Sequence, residues 1–234
     1  MFLASFLTKF SWLDWVAFLW FLVCWFGYEL VVERGWSGHA TLHDETHKLR
    51  LAWGRVMLTR DPRIVDVALI GNLLPSLSFY ANTTIYIIAA LFAALGTLDQ
   101  LMSTASELPF ARIISREAME LKLLILLGVF VIAYFRFTWS LRQFNLLSIT
   151  LGAVPEKQSV EQLEKHALKF AAVNSCAGND FNRGLRAYYF GMAVMSWMVS
   201  PWLFILSTVA IVVVLARREF SSPVLKALTD YRQE

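Results

Sequence analysis

Long apolar blocks decide what this chain can fold into. Trp12 to Val32 reads WLDWVAFLWFLVCWFGYELVV without a lysine or arginine, and comparable blocks recur three more times. Runs of roughly 17 to 25 apolar residues match a hydrocarbon core of about 30 Å at helical rise. In lipid a backbone must satisfy its own hydrogen bonds, so such blocks predict helices. Only 17% of the 234 residues are charged and 57% are hydrophobic, with a mean hydropathy of +0.53. A soluble domain carries roughly 25% charge. A soluble enzyme, a disordered chain and a collagen-like fibre are therefore excluded. Two cysteines are too few for a disulfide scaffold.

The spacing predicts an all-α, polytopic helical bundle with about five spans, at residues 12–32, 75–96, 118–137, 184–199 and 201–217, in one membrane domain. The first block has Lys9 as its sole early cation and bulky residues after it, so it reads as a retained anchor and not as a cleaved signal. Asp61-Pro62 marks a helix start. A helix from there to Gly96 would be roughly 52 Å long, so its first turns must project inward or the helix must tilt. Pro75 divides it and predicts a kink. Gly152 and Pro155 end the third long helix, and Ser200-Pro201 divides the last apolar block. A four-span chain with one broken final helix is the alternative. Charge favours five spans with the amino terminus outside and the carboxyl terminus cytoplasmic, because 17 of the 21 lysines and arginines then lie inside. This places the protein in a plasma (inner) membrane. The membrane bias explains the cations, and nucleic acid is not an expected partner.

Segments 33–74, 138–183 and 218–234 then form the cytoplasmic parts. Leu49, Trp53, Val56 and Met57 recur at helical spacing, predicting an amphipathic helix on anionic inner-leaflet lipids or on the protein's own membrane ends. Ser159 and Gln162 form a capping box, predicting a helix from Val160 to about Val173, with Ser175 to Asp180 as a turn.

Polar groups inside apolar helices are costly and so are site candidates. Asn72, Asn82 and Thr83 lie along the second long helix, and they glue helices together or line a pathway. Glu117, Glu120 and Lys122 open the third span and Arg136 closes it. The two glutamates share a face and can hold a cation or pair with a base on a neighbouring helix, interfacial anchoring being the plainer reading, while Lys122 and Arg136 can snorkel toward opposite interfaces. Asp66 is placed to pair with Arg136, Arg183 or Arg186. His39, His43 and His47 recur at steps of four, which on a helix can bind a divalent metal. A solvated loop face is the plainer reading, since Gly35 and Gly38 precede them.

No GxSxG, HExxH, CxxC or phosphate-loop pattern is present. An enzyme is not expected.

Three blocks carry a family likeness: RIVDVALIGNLLPSLSFYANTTI (Arg63 to Ile85), ELKLLILLGVFVIAYFRFTWSLRQFN through GAVP (Glu120 to Pro155), and FNRGLRAYYF followed by SPWLFILSTVAIVVVLARREFSS (Phe181 to Ser222). The chain resembles the bacterial and plant membrane proteins grouped as domain of unknown function 599. The resemblance covers about two thirds of the chain and implies a multi-span membrane protein, without a reaction or substrate. Asn82 stands where that family often has a small residue, and the histidines lie outside the resembling blocks. From the residues, the expected function is an oligomeric channel or transport-type protein for a small solute or ion. A scaffold docking a protein or anionic lipid is the alternative, and a lipid-modifying enzyme is more remote.

Overall fold

A computed structural model describes residues 10–34, 41–106, 115–154 and 159–230. Over these residues the regular structure is all α-helix: α1 (Trp12–Arg34), α2 (Leu42–Leu58), α3 (Ile64–Gly96), α4 (Leu98–Ser106), α5 (Arg116–Gly152), α6 (Val160–Trp197), α7 (Pro201–Phe220) and α8 (Pro223–Asp230). Among the described residues three stretches are long and apolar enough to cross a membrane: Trp12–Glu33, Ile64–Gly96 and Arg116–Gly152. The chain divides into two compact units. One comprises residues 1–39, 84–132 and 186–218, the other 40–83, 133–185 and 219–234, so α3, α5 and α6 each contribute to both.

The first unit is built on aromatic packing. Phe21 is fully buried against Phe190 and Phe204, with ring centroids 5.8 and 5.2 Å away. Trp197 stacks on Phe18 at 5.7 Å and on Phe204 at 4.8 Å. Phe18, Phe21 and Trp25 share one face of α1 because steps of three and four return to the same side of a helix. Aromatic pairs at these distances add about 0.5–1.5 kcal/mol beyond their buried area.

The second unit has an apolar core of Met57, Ile70, Leu77, Phe144, Leu147, Leu151, Phe170 and Ala177. Two glycines permit its closest approaches. A Cβ on Gly54 would stand 2.9 Å from the Ala167 carbonyl oxygen, and one on Gly184 would stand 2.5 Å from the Phe137 ring.

Several expected boundaries hold. The Ser159–Gln162 capping box forms, with both reciprocal hydrogen bonds, at 3.0 and 3.3 Å. The final apolar block breaks where Ser200-Pro201 predicts, since Ser200 Oγ accepts from Leu203 N at 3.1 Å and Pro201 is the first residue of α7. α5 ends at Gly152 as expected, whereas Pro155 lies outside the described residues.

Others are corrected. Pro62 precedes the first helical residue, Ile64, by two positions and so does not occupy the first turn of α3. The stretch Ser175 to Asp180 is not a turn, because α6 runs unbroken from Val160 to Trp197. Its Asn, Ser, Gly and Asp residues are weak helix formers, but here Ser175 pairs with His47 of α2 and Asp180 with Arg136 and Gln143 of α5, and tertiary contacts override propensity. The apolar face expected on α2 is split. Met57 is buried and Trp53 packs on Phe170, whereas Leu49 is 51% and Val56 47% exposed. The helix buries the side on which Gly54 meets α6, and that side is rotated from the Leu49–Val56 stripe.

Candidate functional site

Charged side chains near the ends of the first unit's apolar helices find partners inside it. Lys122 is 2% exposed and its Nζ lies 3.2 Å from Asp14 Oδ1. The same ammonium donates to the Trp197 carbonyl oxygen at 3.1 Å and sits 5.1 Å from the centre of the Trp197 ring. Trp197 Nε1 donates to Asp14 Oδ1 at 2.8 Å. Trp197 ends α6, where carbonyls lack intrahelical donors and a cation is favourable. Lys122 therefore closes a helix end and neutralises a carboxylate at once. This corrects the expectation that Lys122 snorkels toward an interface. Snorkelling relieves a cation that has no buried partner, and Asp14 supplies one. Thr84 Oγ1 and Tyr188 Oη share a further hydrogen bond of 2.7 Å, and Arg186 lies 3.7 Å from Glu33.

In the second unit Asp66 is fully buried. It accepts from Trp53 Nε1 at 2.7 Å and from Arg60 Nη1 at 2.8 Å. The expected pairing with Arg136, Arg183 or Arg186 does not occur. Arg60 and Trp53 flank the turn into α3 and reach Asp66 locally. Arg136 instead donates to Asp180 Oδ1 at 2.9 Å, with Arg183 3.5 Å from the same oxygen and Gln143 Nε2 2.7 Å from Oδ2. Ser140 Oγ donates to the Ala177 carbonyl at 2.7 Å beside it.

α2 and α6 frame an open cleft of about 600 Å³ lined by His43, Asp44, His47, Lys48, Ala172, Ser175, Cys176 and Asn179. His47 Nδ1 is 2.8 Å from Ser175 Oγ. His43 is held through its backbone, its N–H donating to Glu219 Oε1 at 2.8 Å. Two of the cleft's charges are already engaged. Asp44 closes the capping box with Thr41, which fixes the start of α2 at Leu42, and Lys48 pairs with Glu45 at 2.5 Å. Arg50, one turn beyond His47, packs its guanidinium against Gly178, where a Cβ would collide with it. Burial holds the Arg50 pKa below its ordinary value. Further along α2, Arg55 makes a forked pair with Glu164 of α6, both nitrogens reaching the carboxylate at 2.6–3.1 Å.

The remaining sequence candidates are not gathered into one site. Asn72, Asn82 and Glu120 are exposed, while Thr83 and Glu117 are half-buried. His39 lies outside the described residues, and among the described residues no three His, Cys, Asp or Glu side chains meet at metal-binding range. Sequence reasoning missed Asp14, Asp180 and Ser175. Asp14 carried a signal, because a carboxylate in an apolar helix needs a partner. Asp180 and Ser175 were hidden by the turn-like composition around them.

Residues 16–224 match the family described as protein of unknown function DUF599. The chain belongs to that family. The match runs from α1 into α8 and takes in Lys122, Asp180, His43 and His47 alike, so the histidines lie within the family region although they fall outside the resembling blocks. DUF599 membership, with three helices of spanning length and composition, fits a multi-pass membrane protein, and the family description assigns no activity. Neither the curated proteins nor the solved structures give a match to the chain.

Proposed function

We propose that this DUF599 protein is a five-span, plasma-membrane protein that self-associates along α3 and passes a small solute or ion beside the polar residues of that helix. The observation that carries the reading is the exposed side of α3. Asn72, Ser76 and Asn82 are exposed there among Phe79, Tyr86 and Phe92, which are 64%, 73% and 60% exposed. An amide facing lipid is expensive, and a second copy that pairs with it relieves the cost. Ala89 and Ala93 lie one turn apart on the same helix and allow close approach between helices. Five crossings follow if α6 ends outside and α7, 20 residues long, returns to place Arg217 and Arg218 inside.

Two measurements on the purified protein test this. Proteoliposomes should show ion or small-solute flux above empty vesicles, and an introduced Ala93→Cys should form an intermolecular disulfide under mild oxidation. Absence of flux removes the transport reading. Absence of cross-linking removes the α3 interface.

A second reading, an inner-surface scaffold, is favoured by the exposed Leu49 and Val56 on α2. Stoichiometric co-purification of a partner from mild detergent, lost in Leu49→Ser with Val56→Ser, would support it.

A further inference from the structure

The cleft between α2 and α6 has the volume of a small-ligand site, and such sites commonly enclose roughly 300–1,000 Å³. Its walls belong to one unit and are made of helices held together by the Gly54–Ala167 approach, so it is built on rigid elements.

Of the two cations beside it, Lys48 has a carboxylate partner and Arg50 has none among the described residues. Asp44 is spent on Thr41, Glu45 on Lys48, and Glu219 on the His43 backbone. Arg55 and Glu164 satisfy one another away from the cleft. Arg50 is left against Gly178, next to the cleft residue Asn179, and burial alone shifts its pKa, with no carboxylate opposing that shift. A guanidinium desolvated without an anion is a costly arrangement. His43, His47 and Arg50 follow one another at steps of four and three on α2, so all three lie on one face. When the Ser175 hydroxyl donates to His47 Nδ1, the neutral ring carries its proton on Nε2 and keeps a donor at the cleft. The histidine donors line this cleft and Arg50 lies at its edge against Gly178, while among the described residues no metal-ligand set is gathered there.

We infer that the α2–α6 cleft binds a phosphate group, with Arg50 as its counter-cation and His43 and His47 as neutral or cationic donors. A guanidinium fork matches two phosphate oxygens, which is why arginine is favoured for this recognition. The phosphate belongs either to a soluble phosphate ester or to a lipid headgroup, since the chemistry of recognition is shared. This site does not depend on the transport reading and survives its failure.

Cys176 is exposed in the cleft and makes a reporter. The experiment uses the full chain carrying Cys24→Ser, in nanodiscs of phosphatidylcholine, and follows maleimide labelling of Cys176. Inorganic phosphate should slow labelling saturably, by about tenfold at saturation, and Arg50→Gln should abolish the protection while thermal unfolding stays cooperative. If the source is lipid, discs doped with phosphatidic acid should give the protection instead, and soluble phosphate should add nothing. His47→Gln should weaken protection several-fold in either arm, and it decides the matter if Arg50→Gln fails to fold. Labelling that neither phosphate nor phosphatidic acid slows, protection that persists in folded Arg50→Gln, or protection undiminished in folded His47→Gln overturns the assignment.

Discussion

Trp197 Nε1 donates to Asp14 Oδ1 at 2.8 Å across 183 positions of sequence, and Lys122 bridges the same two residues. One carboxylate thus ties the start of α1 to the end of α6 and the start of α5. The pair is buried, so its energetic weight lies in what is left behind when one partner is removed.

Lys122→Met and Asp14→Leu should each destabilise the protein by about 3–5 kcal/mol, because each strands an unpaired buried charge. The double variant should be markedly more stable than either single one. Thermal unfolding in a fixed detergent checks this; single and double variants that add independently would show the two groups do not interact.

Asp66→Ala should lower stability by about 2–4 kcal/mol, since it leaves Trp53 Nε1 and Arg60 without their acceptor. Asp66→Asn keeps an acceptor for Trp53 and should lose less. Arg60→Ala should cost under about 1 kcal/mol, its side chain being 40% exposed. The ranking Ala, Asn, Arg60→Ala in melting temperature is the readout.

Gly184→Ala should destabilise by about 1–3 kcal/mol, since Phe137 is fully buried and ringed by Tyr80 and Phe181. Gly71→Ala meets nothing within 4 Å and should be neutral, or stabilising by up to about 1 kcal/mol. Equal effects at the two positions would contradict the close approach of α6 to Phe137.

The hydrogen bond from Arg55 holds the Glu164 carboxyl below its ordinary pKa, and the charge of Arg55 adds to this. A folded pKa below the unfolded one, which is about 4.3 for glutamate, gives a contribution that is present above the unfolded value. It is lost as the pH falls through the lower, folded value. The melting-temperature difference between the unaltered protein and Glu164→Gln should therefore be small and positive at pH 7 and vanish in acid. It should also shrink in 1 M salt, since both groups are at the surface. A difference that grows on acidification would reverse the sign of this linkage.

The sequence was most legible where chemistry is local. The Ser159 capping box, the end of α5 at Gly152 and the Ser200-Pro201 break are each set by a few neighbouring residues. The class, all helix with bilayer-length apolar stretches, follows from composition along the chain. The α2–α6 cleft was half legible. His43 and His47 stood out by spacing, whereas Ser175 and Asn179 sat in a segment whose glycine and amides read as a turn.

Periodicity and apolar length alone determined that this chain forms long helices, because the backbone must close its own hydrogen bonds wherever water is absent. Only the tertiary structure decided which charges meet. Asp14 chose Lys122, Asp66 chose Arg60, and Asp180 took Arg136, since an ion pair depends on distances of a few ångströms that residue order does not encode. The same limit explains α6. Its polar middle is a poor helix by propensity, and it is helical because His47, Gln143 and Arg136 arrive from other elements to pair with Ser175 and Asp180.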